Sequence, residues 1–156
     1  MKKVIFISST GGHLVELLQL KPLFSKVNAY LITEKTKSNE DLKQQIEVPI
    51  GYLAYGTKKH LFSYLFIFAF NILKSLYYFI KFRPDAIVTT GTHTAVPMCY
   101  IAHFFKKKVI WIETFANSKS PTEAGRMVYK IADTFIVQWE SMLEFYPDAI
   151  VGGAIF

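Results

Sequence analysis

The chain has 156 residues, a formal net charge of +6 and a single cysteine, Cys99. This length suits one domain with a real hydrophobic core. A lone cysteine excludes an internal disulfide and fits a reducing compartment. Lys2 and Lys3 precede only four apolar residues, too few for the apolar region of a secretory signal peptide, so we expect no such leader.

The positive charge is concentrated in the middle of the chain. Between Val48 and Ile112 there are eight basic residues and one acidic residue, Asp85. This uneven charge predicts an anionic partner surface, either lipid headgroups or nucleic acid. We expect no nucleic-acid partner, because these cations sit beside bulky apolar residues rather than along a polar groove.

The first predicted element is a buried parallel strand over residues 4–7, a short apolar run rich in β-branched side chains. Thr10, Gly11, Gly12 and His13 follow it, and the glycines allow a tight turn before an amphipathic helix. A strand, a glycine turn and a helix open an α/β nucleotide-type domain, whose helix N-terminus could bind a phosphate. The turn carries neither a G-x-G-x-x-G fingerprint nor a P-loop lysine, and a plain strand-to-helix turn is the alternative.

The next segments predict a strand over residues 28–33, a polar helix over residues 36–45, and a strand over residues 47–55 that Pro49 and Gly51 interrupt. Glu34 directly follows the strand over residues 28–33. A carboxylate there could bind a ribose hydroxyl, although that signal is weak without the glycine fingerprint.

Residues 61–82 form the most hydrophobic segment, and their longest uncharged run, residues 61–73, is shorter than the roughly 18–20 residues that cross a bilayer. A wide apolar, aromatic face with basic flanks predicts a helix over about residues 60–82 that lies in the membrane interface. The lipid-facing residues would be Phe66, Phe70, Leu73 and Tyr77, and the headgroup-facing residues Lys58, Lys59, Lys81 and Arg83. A helix buried in the core and a true membrane span are the alternatives.

The rest of the chain continues the alternation of strands and helices. We predict strands over residues 85–89, 109–112, 135–137 and 149–151, and helices over residues 95–105, 123–131 and 139–145. The predicted fold is therefore α/β, a doubly wound parallel Rossmann-like sheet, in a single domain over residues 1–156.

Three strand ends of such a sheet bring polar groups to one cleft, because ligands bind beyond the carboxyl ends of the strands. The groups are Thr10 to His13, then Thr90, Gly91, Thr92 and His93, and finally Glu113. His13 or Glu113 could take a proton from an attacking hydroxyl, and the N–H groups of the glycine turns could hold phosphate oxygens. The alternatives are solvated or helix-capping histidines and an ion pair from Glu113 to Lys119 or Arg126. We expect no metal site, since the histidines lack helical spacing and Cys99 has no nearby partner.

Three segments then resemble a known family in order: SSTGGHL, KFRPDAIVTTGTHTAVPMCYIA and VIWIETFANSKSPTEAGRMVYKIADTFIVQW. They are similar to the membrane-anchoring, acceptor-side subunits of two-component glycosyltransferases. These include the PssD/CpsF-like bacterial polysaccharide proteins and the membrane subunit of the eukaryotic transferase that acts on dolichol-linked intermediates. The segments also resemble the N-terminal half of MurG-type GT-B enzymes, in which Thr10 to His13, Gly91 and Glu113 have counterparts.

This resemblance implies a subunit that binds a polyprenyl-diphosphate-linked acceptor at the cytoplasmic face of a membrane, foremost the bacterial inner membrane. A separate donor-binding subunit would complete the heterodimer and bind the UDP-sugar, and no cofactor is expected. We expect Ala154, Ile155 and Phe156, which are apolar, to dock on that partner. The alternatives are a non-catalytic adaptor that recruits a transferase, and a free-standing nucleotide-binding oxidoreductase, which the absent fingerprint disfavours.

Overall fold

The computed structural model describes residues 1–56 and 61–155, and within them seven strands form one sheet. The strands are β1 Lys3–Ser8, β2 Asn28–Lys35, β3 Ile50–Ala54, β4 Ala86–Gly91, β5 Lys108–Ile112, β6 Thr134–Val137 and β7 Ile150–Val151. Their order is β3-β2-β1-β4-β5-β6-β7, and every neighbouring pair is parallel. The direction of winding reverses between β1 and β4, the place where such sheets bind ligands. The predicted doubly wound sheet is confirmed.

Five α-helices connect these strands in the described part of the chain. They are α1 Gly12–Leu18, α2 Leu42–Gln45, α3 Leu61–Phe82, α4 Val96–Phe104 and α5 Glu123–Tyr129. Four short 3-10 helices cover Lys21–Lys26, Lys37–Asn39, His93–Ala95 and Glu140–Glu144.

Three predicted elements differ from the structure. The helix expected over residues 139–145 is a 3-10 helix over Glu140–Glu144. The helix expected over residues 36–45 is divided into a 3-10 turn at Lys37–Asn39 and the short helix α2, because so polar a segment has no apolar stripe to hold a longer helix against the sheet. The strand expected over residues 47–55 begins only after Pro49, which has no N–H to donate. The Pro49 carbonyl still accepts a hydrogen bond from the N–H of Leu31 at 3.0 Å.

Alternate residues of β1 separate two hydrophobic cores, one on each face of the sheet. Ile5 and Ile7 belong to the core that β1 shares with α3, α4 and α5. Val4 and Phe6 belong to the core that it shares with α1. Cys99 is completely buried in the first core, and that burial raises the pKa of its thiol, so it behaves as a small apolar side chain.

Helix α3 protects the outer edge of the sheet. The Asn71 side chain accepts a hydrogen bond from the N–H of Ala54 and donates one to its carbonyl, both at 2.8 Å. The Tyr78 hydroxyl likewise accepts from the N–H of Tyr52 at 3.0 Å and donates to its carbonyl at 3.2 Å. These polar side chains bond the groups of β3 that point away from β2, so they take the place of a further strand.

Candidate functional site

The two glycine turns meet at the carboxyl edge of the sheet. His13 Nδ1 lies 2.8 Å from the Thr90 carbonyl oxygen, and the Thr90 hydroxyl donates to the His13 carbonyl at 2.6 Å. The N–H of Ser9 donates to the Gly91 carbonyl at 3.0 Å. Because a carbonyl can only accept, His13 Nδ1 carries the ring proton, and in the neutral ring Nε2 is the atom that can accept another. The structure therefore brings together two of the three predicted groups.

Glycine is required in this arrangement at Gly91. Its φ of 96° lies in the left-handed region, and a Cβ there would lie 3.4 Å from the Trp111 ring and 3.5 Å from His13 Nδ1. Gly11 has a φ of 74°, and both Gly11 and Gly12 are exposed at the surface. A ligand can therefore approach the backbone of the first turn closely.

Glu34 joins the two turns from beneath. One carboxylate oxygen accepts from the N–H of Thr10 at 3.2 Å, and the other accepts from the Thr94 hydroxyl at 2.5 Å. Glu34 is only 6% exposed. Its carboxylate is therefore engaged in positioning the turns, and binding of a ribose hydroxyl by Glu34 stays a prediction.

A cavity of about 110 Å³ lies between the second turn and α3. Thr92 and His93 line it on one side, and Tyr64 and Asn71 line it on the other. His93 Nε2 lies 3.2 Å from a carboxylate oxygen of Glu123, at the start of α5. Among residues 1–56 and 61–155, the His, Cys, Asp and Glu side chains form no group of three that could hold a metal ion.

Glu113 lies beneath this edge rather than on it. It is 2% exposed, and one carboxylate oxygen accepts a hydrogen bond from the Tyr146 hydroxyl at 3.1 Å. Gly125 must be glycine because the Glu113 carboxylate, the Tyr146 hydroxyl and the Thr122 hydroxyl occupy the space that its Cβ would need. Desolvation by burial raises the pKa of the Glu113 carboxyl. Direct contact with a substrate would require Glu113 to leave this position, and its catalytic role stays a prediction.

Glu16 is a further buried carboxylate that connects strand ends. It accepts hydrogen bonds from the Thr114 hydroxyl at 3.0 Å and from the N–H of Phe115 at 2.8 Å, so it joins α1 to the loop after β5. Sequence reasoning missed the positioning roles of Glu16 and Glu34. The reason is that Glu16 is 98 residues from Thr114 and Glu34 is 60 residues from Thr94, so local spacing carries no signal of either contact.

The outer side of α3 is apolar and open to solvent. Phe66 is 78% exposed and Leu73 67%, and Phe70 and Tyr77 are each more than half exposed. The four predicted lipid-facing side chains thus share the side of α3 that faces away from the sheet. By length and composition the segment Phe62–Phe82 could cross a membrane, and its apolar side is not covered within the described chain.

Cations and further aromatic residues border this face near the C-terminal end of α3. Lys81 and Arg83 are exposed, whereas Lys58 and Lys59 lie outside the described residues. Phe105, directly after α4, stacks on Phe79 of α3 with ring centroids 5.2 Å apart. Phe79 is buried, whereas Phe104 and Phe105 are exposed, so the end of α4 adds apolar surface of its own beside α3.

The C-terminal segment, residues 152–155, crosses the end of β6. The N–H of Gly152 donates to the Val137 carbonyl at 2.9 Å, and the N–H of Ile155 donates to the Gln138 side-chain oxygen at 2.9 Å. Ala154 is exposed and Ile155 is half-buried, and Phe156 lies outside the described residues. The docking role of these residues stays a prediction.

A family model described as "Oligosaccharide biosynthesis protein Alg14 like" matches residues 3–155. The chain belongs to this Alg14-like family. The resemblance drawn from the sequence is confirmed at the level of the family and of its similarity to MurG-type enzymes.

Curated relatives of this Alg14-like chain include transferase subunits and a longer transferase. The UDP-N-acetylglucosamine transferase subunit ALG14 of Mus musculus is 24% identical over 179 residues, which cover 98% of this chain and 82% of the relative. The Candida albicans subunit of that name is 35% identical over 83 residues, 49% of this chain and 38% of the relative. The N-acetylglucosamine transferase of Borreliella afzelii that acts on a pyrophosphoryl-undecaprenol substrate is 27% identical and matches 94% of this chain, but only 43% of the enzyme.

Solved structures share the fold of this Alg14-like chain. MurG of Acinetobacter baumannii superposes with a TM-score of 0.73 at 17% identity, over 90% of this chain and 43% of that one. A UDP-N-acetylglucosamine 2-epimerase of Rickettsia bellii superposes with a TM-score of 0.75 at 20% identity, over 99% of this chain and 45% of that one. The chain thus spans less than half of each structure and has the fold of one of its Rossmann-like parts.

Proposed function

We propose that the chain is the membrane-associated, acceptor-binding subunit of a heterodimeric UDP-sugar glycosyltransferase. The complex would extend a polyprenyl-diphosphate-linked saccharide with a GlcNAc or another hexose at the cytoplasmic face of the bacterial inner membrane. The observation that carries this proposal is the meeting of the two glycine turns through His13 and Thr90. Family membership supports it, since the curated relatives named ALG14 are transferase subunits.

The acceptor would bind over the two turns. Backbone N–H groups around Gly11 and Gly12 would bind diphosphate oxygens, assisted by the side chains of Thr10, Thr92 and His93. The second turn would serve as support, because the buried Thr90 hydroxyl donates to the His13 carbonyl and the Gly91 N–H donates to the Thr89 hydroxyl. His13 Nε2 would take the proton of the acceptor hydroxyl as its oxygen bonds to the anomeric carbon of the donor and UDP leaves. The hydrogen bond from Nδ1 to the Thr90 carbonyl supports this role because it fixes the ring and its tautomer.

The membrane would contact the outer side of α3. Its 22 residues make a helix about 33 Å long, enough to cross a bilayer. One side of the helix is bonded to β3 through Asn71 and Tyr78, however, so only the opposite side can meet lipid. This attachment supports a helix that lies in the interface, with Phe66 and Leu73 in lipid, rather than a membrane span.

A partner would supply the UDP-sugar site and dock on Ala154, Ile155 and Phe156. Reconstitution tests this proposal: the chain, the donor-binding partner and their mixture are each incubated with UDP-sugar and a polyprenyl-diphosphate-linked saccharide. We expect labelled lipid product from the mixture alone, and weaker assembly after deletion of residues 153–156. Robust transfer by the chain by itself, in a preparation free of partner, would refute the two-subunit proposal.

The proton-transfer role has its own test in the assembled complex. His13→Ala should lower turnover on the order of 10²-fold while the affinity for the partner stays unchanged. Wild-type turnover in this variant would instead favour the adaptor that only recruits a transferase. The buried position of Glu113 is the observation that favours this second candidate.

Glu113→Gln is the companion test, and pH separates its possible roles. Because burial raises the pKa of the folded carboxyl, its contribution to the free energy of unfolding is complete below the unfolded pKa and is lost as pH rises through the folded pKa. Glu113→Gln should therefore flatten the dependence of stability on pH above about pH 4.5. If the stability of the variant depends less on pH but its turnover equals that of wild type, Glu113 has a structural role only.

A further inference from the structure

Gln138 connects two functional segments of the chain. It directly follows β6, and it is 6% exposed. Its side-chain nitrogen donates to the Glu113 carbonyl at 3.1 Å, and its oxygen accepts from the N–H of Ile155 at 2.9 Å. A carbonyl can only accept and an N–H can only donate, so the two partners fix the orientation of the amide.

The first segment that Gln138 connects is the loop after β5, residues 113–118, called here the β5 loop. The hydrogen bonds of the Gln138 side chain thus form a bridge with the β5 loop at one end. Glu16 of α1 accepts hydrogen bonds from Thr114 and Phe115 of this loop, and α1 carries His13 in its first turn. On the other side the Trp139 ring nitrogen donates to the Phe115 carbonyl at 2.8 Å. The β5 loop is therefore held between the helix that carries His13 and the residues that follow β6.

The other end is the C-terminal segment. A Cβ on Gly152 would lie 2.7 Å from the Ile136 side chain, so the segment passes close over β6. Gly153 turns it with a φ of 73°, and Ala154 is then exposed to solvent. A protein that binds Ala154 would therefore contact the residue directly before Ile155, whose N–H is bonded to the Gln138 amide.

We propose that Gln138 is a positioning residue that couples partner docking at the C-terminal segment to the conformation of the β5 loop. This inference rests on the proposed function, because it assumes that the C-terminal segment contacts the donor-binding subunit. With Ile155 held in place, both polar atoms of the buried amide are bonded and the Glu113 carbonyl is fixed. With Ile155 displaced, the amide loses one of its bonds and holds the loop less firmly.

Two substitutions separate the ends of the bridge. Gln138→Glu keeps an oxygen for the N–H of Ile155 but replaces the donor to the Glu113 carbonyl with an oxygen. Gln138→Leu removes both bonds at similar volume. Ser141→Ala is the matched control, since Ser141 donates to the Ser118 carbonyl of the same loop.

Turnover and assembly are measured in the complete complex. We expect Gln138→Glu to leave the dissociation constant of the partner within about 2-fold of wild type and to lower turnover at saturating partner about 3- to 10-fold. Its turnover relative to wild type should recover as the pH falls, because a protonated carboxyl can donate again. Gln138→Leu should lower turnover and weaken binding of the partner, whereas Ser141→Ala should change neither turnover nor partner binding. Equal losses of thermal stability in both Gln138 variants, with wild-type turnover for each assembled complex, would overturn the proposal.

Hydrogen exchange tests the coupling without an activity assay. In the chain alone, deletion of residues 153–156 should speed exchange across the β5 loop, and should add nothing in a Gln138→Leu background. Loop exchange that ignores the deletion would refute the coupling. If mixed wild-type subunits transfer no sugar but exchange follows this pattern, the proposed function fails and the coupling stands.

Discussion

Helices α3 and α4 are both strongly apolar, yet they use their apolar residues in opposite ways. Helix α4 buries Met98, Cys99 and Ala102 completely in the core. Helix α3 instead directs Asn71 and Tyr78 toward β3, where both side chains form hydrogen bonds. Four of its nine aromatic side chains are exposed on the other side: Phe62, Phe66, Phe70 and Tyr77. The comparison teaches that apolar content does not decide burial. The positions of the few polar residues show which side of a helix meets the sheet, because a buried polar group needs a bonding partner.

The largest effect is expected when the apolar side chains on the outer side of α3 are removed. Replacement of Phe66, Phe70, Leu73 and Tyr77 by Ser should lower binding to anionic vesicles by a factor of about 10² or more, since each side chain loses part of the roughly 1.5–3 kcal/mol gained on leaving water. The free energy of unfolding should hardly change, because these residues are exposed. Vesicle co-sedimentation and urea denaturation measure the two quantities. Unchanged binding, or global unfolding, would contradict the membrane proposal.

In α4 the same kind of truncation should act on stability instead. Met98→Ala removes a completely buried side chain, and we expect a loss of about 2–5 kcal/mol in the free energy of unfolding. Vesicle binding by the folded variant should match wild type. Tyr100→Ala, at an exposed position on the same helix, is the control. Equal stability of the Met98 and Tyr100 variants would remove the contrast between the helices.

The inner side of α3 should respond to polarity rather than size. Asn71→Leu keeps the branched shape of the side chain but leaves the N–H and the carbonyl of Ala54 without their side-chain partner, so we expect a loss of about 1–3 kcal/mol in the free energy of unfolding. The rate of hydrogen exchange at the N–H of Ala54 should rise as the protein loses stability. If Asn71→Leu is as stable as wild type, Asn71 does not hold α3 against β3.

The smallest effect concerns charge beside the apolar face. Lys81→Gln and Arg83→Gln should each weaken binding to anionic vesicles by roughly 1 kcal/mol, about 5-fold, at low salt. The difference from wild type should vanish at high salt, because exposed charges are screened. Binding to neutral vesicles provides the control. A loss that persists in high salt would place these residues in apolar contact instead.

The strands could be predicted from the sequence because each is a short buried apolar run, and β1 carries one core on each face. The two glycine turns could also be located, because their residues follow β1 and β4 directly. The positioning roles of Glu34 and Gln138 could not, since each depends on partners that only the folded topology brings near. Glu113 shows the same limit. Its place after β5 was predictable, but its burial depends on Tyr146 and Gly125, which arrive from later elements.

The hydrogen bonds of Asn71 and Tyr78 to β3 give the sheet two unlike margins. One margin is closed to any further strand, while the other ends in the two-residue strand β7, whose Ile150 and Val151 are exposed. Six strand spacings separate these margins, about 29 Å. A bilayer resting on α3 and a protein docked beside β7 would thus occupy opposite flanks, so neither has to leave before the other arrives. Under the proposed function, recruitment to lipid and assembly of the complex could therefore occur in either order.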